Sequence, residues 1–238
     1  MTPAREPRAP TLSRRAVIRG AFLGAGLAVV ATNSGCAASS PGDAGASEGE
    51  STTDETTRSV SPGRGGVLLA YFSRPGENYY YGDRIDLETG NTEVLAAMIA
   101  EGIDCDVHRI QPADPYPHDY DATVARNARE QDADARPAIA NPLPALDGYD
   151  TVLLASPIWN VRPPMIMKTF TEALDFEGTT VHPITTHAMS GLGTAEREYA
   201  QACRGATLAE GLAIRGEEVA DAGATVQGWL RRTRLARA

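Results

Sequence analysis

Hydroxyl, amide and glycine side chains gather at three separated points of this chain, each time beyond a short apolar run. The first group is Ser73 and Arg74 with Thr89, Gly90, Asn91 and Thr92. The second is the turn Pro157, Ile158, Trp159 and Asn160, and the third runs from Thr186 and His187 through Ser190, Gly191 and Gly193. Hydroxyls just ahead of a helix suit an oxyanion, because the first helical turn has free backbone N–H groups and the positive end of the dipole. The first group therefore reads as a phosphate grip. A large aromatic in a proline-framed turn suits a planar ligand, although a tryptophan there can equally plug the top of the core. In the third group the glycines allow close backbone approach, while Thr186, His187 and Ser190 offer hydrogen bonds.

The elements that must position these groups follow from the apolar pattern. Val67 to Phe72 is a continuous apolar run, as in a strand buried on both faces of a parallel sheet. Val94, Leu95, Met98 and Ile99 space out a helix over Glu93 to Ala100, with Asn91 or Thr92 as its N-cap. Asp104 to Ile110 alternates as an edge-side strand, which turns His108 toward solvent. A proline-punctuated loop, a charged helix over Asp119 to Asp134 and a second proline-rich connection precede a third strand, Tyr149 to Ser156. A helix over Met165 to Leu174 follows, its Met165 and Met167 packing, and then a fourth strand, Thr179 to Thr186. Ala195 to Arg204 reads as a helix, Thr207 to Ile214 as a fifth strand, and Glu217 to Leu235 as a last amphipathic helix. Strands and helices alternate, so the fold class is α/β, a doubly wound five-stranded parallel sheet.

Excising Pro75 to Glu88 joins Ser73-Arg74 to Thr89-Gly90-Asn91-Thr92, and the result resembles the flavodoxin phosphate loop. The S-P-I-W-N turn resembles that family's loop beside the isoalloxazine ring, and T-H-x-x-S-G-x-G resembles its third flavin-contacting loop. The resemblance spans about residues 65 to 236. It implies strand order 2-1-3-4-5, a crevice where Ser73 meets Trp159, and FMN as the cofactor. Ser73, Thr89, Asn91 and Thr92 would then hold the phosphate, with Arg74 either helping or facing solvent. Trp159 and its turn would flank the ring, and the Thr186 to Gly193 loop would touch its edge, His187 either holding that loop or donating toward the flavin. The insert, with Tyr79, Tyr80 and Tyr81 beside Gly82-Asp83, departs from the simple loop. It predicts a flap over the site or a surface hairpin whose tyrosines cover the sheet edge.

The implied function is that of a redox protein, an electron carrier or a reductase of a small acceptor such as a quinone, with a small-molecule or protein redox partner. The interrupted first loop leaves one alternative from another class, a flavin-free binding or scaffold lipoprotein. The rest of the sequence sets bounds. Ser13-Arg14-Arg15, the apolar stretch Ala21 to Ala31 and Ser34-Gly35-Cys36 resemble a twin-arginine export signal ending in a lipoprotein cleavage box, with Asn33 departing from that box. Residues 1–36 are thus read as the signal, with lipidation at Cys36, simple cleavage near Ala37-Ala38 or retention of the segment as the alternatives, and the protein as extracytoplasmic. Residues 37–65, rich in Ser, Gly, Ala, Thr and acidic side chains, read as a flexible linker, and 66–238 as one folded domain.

A formal net charge of −9 argues against nucleic acid and against an anionic membrane surface, leaving a lipid at Cys36 as the sole membrane attachment. Cys105 and Cys203 are read as two free buried thiols, a disulfide between them being the alternative. No Cys/His cluster suggests a metal, and the lack of a G-x-S-x-G elbow beside Ser190 argues against hydrolysis.

Overall fold

The computed structural model describes residues 65–237; the twin-arginine segment, Cys36 and the linker up to residue 64 lie outside them. The apolar run before Ser73 becomes strand β1, Gly66–Tyr71. It lies between β4, Asp106–Arg109, and β5, Tyr149–Pro157, and is parallel to both. Strand β6, Thr180–His187, pairs with β5 and carries two short strands on its far side, β7, Thr207–Leu208, and β8, Leu212–Arg215. With β7 and β8 taken as two halves of one strand, the parallel order is 2-1-3-4-5. The inserted segment stands apart as an antiparallel hairpin, β2, Gly76–Tyr80, with β3, Asp83–Leu87.

Helices cover both faces. Alternate residues of β1 point to opposite sides, and both sides are core, which is why every position of the strand is apolar. Leu69 and Tyr71, with Leu153 and Ile184, pack under α1, Asn91–Gly102, and α5, Gly223–Arg232, through Leu95, Ile99, Trp229 and Leu230. Leu68, Ala70 and Phe72, with Val152, Leu154 and Val181, pack under α3, Met165–Glu172, and α4, Ala195–Ala202, through Ile166, Met167, Phe170 and Tyr199. The remaining helix, α2, spans Tyr120–Asp132, with the Asp119 carboxylate accepting from the Ala122 N–H as its cap. The two cysteines fall on opposite faces, Cys105 half-buried and Cys203 buried, and both thiols are free. Burial pushes the Cys105 thiol up to about 11 and the Cys203 thiol up to about 12.

Three local expectations need correction. His108 does not face solvent: its ring stacks on Phe170 with centroids 5.6 Å apart, and the exposed residues of β4 are Asp106 and Val107. The fifth strand is not continuous, because β6 turns a side chain toward the missing stretch. His182 Nδ1 lies 2.8 Å from the Glu210 carbonyl and Trp229 Nε1 donates to the same oxygen at 3.2 Å, so the chain leaves the ladder at residues 210–211, after the Ala209 N–H has donated to the Val181 carbonyl at 2.9 Å. The last helix is likewise divided, into a short 3-10 helix, Gly216–Asp221, and α5.

Leu153 is fully buried beside Leu69 at the centre of the sheet. Leu153→Ala should lower the unfolding free energy by about 3 kcal/mol in urea denaturation with an unchanged m-value. A loss below about 1 kcal/mol would show that this layer is not close-packed.

Candidate functional site

Strands β1, β5, β6 and β8 all finish on one edge of the sheet, and a cleft opens there with about 600 Å³ of empty space, counting the part open to solvent. Among the predicted residues, Ser73, Arg74, Asn91, Thr92, Pro157, Ile158, Trp159, Thr186 and His187 line it. Thr89, Gly90, Asn160, Ser190, Gly191 and Gly193 are outside the lining, with Thr89, Asn160, Ser190 and Gly193 exposed. Added to the lining are Asn78 and Tyr79 of the hairpin, Tyr120 at the start of α2, Ala188, and Gly216 and Glu217 beyond β8.

The inserted hairpin leaves and returns at a single point. A Cβ on Gly90 would come within 2.4 Å of both Ser73 Oγ and the Arg74 carbonyl oxygen, so the two ends of the loop are already in contact. Gly90, not Asn91 or Thr92, is the N-cap of α1, and neither of those side chains caps the helix. Ser73 supplies the cap from across the loop, its Oγ accepting from the Glu93 N–H at 3.1 Å. Asn91 and Thr92 are thereby freed to face the cleft. Thr92 Oγ1 and Thr186 Oγ1 are 2.7 Å apart in buried surroundings, which ties the first loop to the third.

Arg74 does not face solvent, and its Nε is buried without a partner on the lining of the cleft. Its Nη groups donate to the carbonyls of Pro117 at 2.9 Å, His118 at 3.0 Å and Glu77. Burial lowers its pKa, against nearby Tyr120, Glu77 and Asp119. The side chain thus fastens the hairpin to the loop before α2. Further ties are a bond from the Tyr120 N–H to the Glu77 carboxylate at 3.1 Å and Arg84 stacked 3.7 Å over the Tyr120 ring. The hairpin reverses through Tyr81 and Gly82, both at positive φ, and Tyr79 forms a wall of the cleft. Tyr80 and Tyr81 stay exposed at the tip.

Trp159 has two roles. Its ring meets Phe72 and Tyr116 edge to face, with centroids 5.6 and 5.1 Å away, and it also lines the cleft. Its backbone closes a two-residue turn on Arg162, with Trp159 N–H donating to the Arg162 carbonyl at 2.9 Å and Arg162 N–H donating back at 3.3 Å. The turn residues Asn160 and Val161 sit at φ 49° and 62°. A β-branched residue is strained there, so neighbours must hold it. The Thr194 N–H donates to the Val161 carbonyl at 2.9 Å, and Gln131 bonds both the Trp159 carbonyl at 3.2 Å and the Asn160 amide at 3.0 Å.

In the third loop, Thr185 Oγ1 donates to the Gly191 carbonyl and Arg215 Nε to the Ala188 carbonyl, each at 3.0 Å. Those bonds hold the loop; His187 Nδ1 is buried without a partner. Burial, assisted by the charge of Arg215, lowers the His187 pKa. Glu217, absent from the sequence-based site, has both carboxylate oxygens buried and unpartnered. Its signal was its place just past a strand ending on the same edge as the others.

A family model described as Flavodoxin matches residues 87–232. A protein assigned as a flavoprotein from Bacteroides uniformis is 30% identical, superposes with a TM-score of 0.56, and aligns over 71% of this chain and 99% of its own. A second from Bacteroides eggerthii is 25% identical with a TM-score of 0.55, over 70% and 96% respectively. Among curated proteins, none matches the chain.

The turn that presents Trp159 generates a paired prediction. Val161→Gly should raise stability by about 1 kcal/mol, since glycine accepts positive φ freely. Gly193→Ala should lower it, because its Cβ would meet the Val161 carbonyl oxygen at 2.3 Å. Thermal unfolding of both variants checks the pair; equal shifts in the same direction would refute the strained turn.

Proposed function

This chain belongs to the flavodoxin family, and from that premise we propose that it binds FMN in the cleft and acts as an exported redox protein. The observation that carries the cofactor reading is the start of α1, where Ser73, Asn91 and Thr92 converge on a helix N-terminus with Gly90 packed too closely for any side chain. Amide N–H groups and hydroxyls there would hold the phosphate. Arg74 gives its Nη groups to three carbonyls but keeps a buried, unpartnered Nε on the lining of the cleft, so its charge and that N–H would assist the dipole and the neutral donors in holding the anion. Trp159 and the Pro157–Ile158 backbone would border the ring, and Thr186 to Ala188 its edge. The orphaned His187 Nδ1 is a further fit, since a ring with hydrogen-bonding edge atoms would give it a partner.

When bound, FMN supplies one- or two-electron transfer, and the protein positions it and limits water access. Tyr79 and Asn78 would close one side of the cleft, leaving the opening for a protein redox partner or a small acceptor such as a quinone. The twin-arginine pattern at Ser13-Arg14-Arg15 supports export of the folded, cofactor-loaded protein, with Cys36 as the attachment for a lipid.

Two measurements test this reading. The purified protein should show an oxidised-flavin absorption spectrum and release FMN on denaturation at about one per chain. Gly90→Ala should abolish that spectrum, and Trp159→Ala should weaken FMN binding by about tenfold, the scale of one aromatic contact. A colourless protein that takes up no added FMN would sink the redox reading in favour of a flavin-free scaffold. Independently, replacing Arg14 and Arg15 with lysine should leave the precursor in the cytoplasm on fractionation; unchanged export would refute the twin-arginine route.

A further inference from the structure

A buried carboxylate with no partner demands an explanation, because the desolvation cost of such a group is not recovered within the protein. Glu217 is in that state, with neither oxygen reaching solvent or a donor. The nearby cation does not serve it: Arg215 donates to the Ala188 carbonyl and pairs with Glu218 at 3.7 Å. The carboxylate is also not a surface group that happened to fold inward. It lines the cleft, and Gly216 before it packs so closely on Asn91 that a Cβ would lie 2.5 Å from the Asn91 amide. Glu217 thus occupies the stretch between the start of α1 and His187, whose own Nδ1 is orphaned.

An acceptor with two free oxygens calls for donors from the ligand. A phosphate has none to give at neutral pH and would be repelled. The donors of a flavin mononucleotide that fall between its phosphate and its ring are the hydroxyls of the ribityl chain. We infer that Glu217 is the acceptor for those hydroxyls, so that the site selects flavins by their sugar-alcohol chain as well as by ring and phosphate. The inference rests on the flavin reading above and adds to it a specificity residue beyond the three loops that carry the family resemblance. Charge-assisted hydrogen bonds are about twice as strong as neutral ones, so one carboxylate can set this preference.

The test compares the full chain with Glu217→Gln, stripped of ligand, in fluorescence titrations with FMN, riboflavin and lumiflavin, the last carrying a methyl group in place of the polyol. Glu217→Gln should weaken FMN and riboflavin by about tenfold and leave lumiflavin within about twofold. The ligand-free variant should melt no lower than the unsubstituted chain, because the carboxylate it replaces makes no bond within the protein. Equal weakening of all three ligands would overturn the assignment by placing Glu217 at the ring. Tighter FMN binding with riboflavin unchanged would overturn it by showing simple repulsion of the phosphate. A lower melting temperature would overturn it by showing that the carboxylate is structural. Failure of the unsubstituted chain to bind any flavin would remove the parent reading and this one together, whereas flavin binding indifferent to Glu217→Gln would remove this one alone.

Discussion

The contact between Gly90 and the Ser73–Arg74 backbone is the constraint on which the site depends. Fourteen residues leave the chain after Arg74 and return at Thr89, yet the helix start must sit against the end of β1 for Ser73 to cap it. Only glycine leaves room for the closure, because any Cβ at position 90 would overlap Ser73 Oγ and the Arg74 carbonyl. With the junction sealed, the insert is free to form its own hairpin without moving the anion-facing groups. Arg74 then anchors that hairpin by its carbonyl contacts, so the residue nearest the junction serves the scaffold through its Nη groups while its Nε stays unpartnered on the cleft lining.

From that junction, order passes to the other loops through a few specific bonds. The Thr92–Thr186 hydroxyl pair links the first strand end to the fourth element of the sheet, and the Ile158 N–H donates to the Thr186 carbonyl at 2.8 Å. The Val161 turn is held in turn by Thr194, beyond the third loop. Three loops far apart in sequence therefore share bonds across the edge of the sheet. Such cross-bracing is how a cleft keeps its shape before a ligand arrives, and it lowers the ordering cost of binding. The strain at Val161 is tolerated because its neighbours over-determine it.

What could be read from the chain depended on whether one residue's neighbours were local. Strand β1 was legible because both faces of a parallel sheet are core, and a run of apolar residues has few other uses. Most of the cleft was legible because its residues cluster just after strands. His108 was misplaced because the alternation in β4 has two phases, and Phe170, sixty residues away, decides which side is buried. The N-cap was misassigned because a distant serine performs the task usually done by the first helical residues. The broken fifth strand depends on His182 and Trp229 converging on one carbonyl, and no local pattern announces that. Glu217 was read only as the start of a helix, since its lack of partners is visible only once the surrounding elements are packed.

The break at residues 210–211 has a consequence for how the sheet meets other molecules. A parallel sheet ends in two edge strands, and each exposes N–H and C=O groups that can template pairing with a second chain. Here one edge is cut into pieces of two and four residues, and the bulged carbonyl between them is already taken by histidine and tryptophan. At the opposite edge β4 has four residues, and Asn141 blocks its end by donating to the Arg109 carbonyl at 2.8 Å and accepting from the Gln111 N–H at 3.0 Å. Neither margin offers the long unpaired ladder from which strand-by-strand aggregation grows, so the same irregularities that defeat simple pattern reading guard the sheet against templated self-assembly.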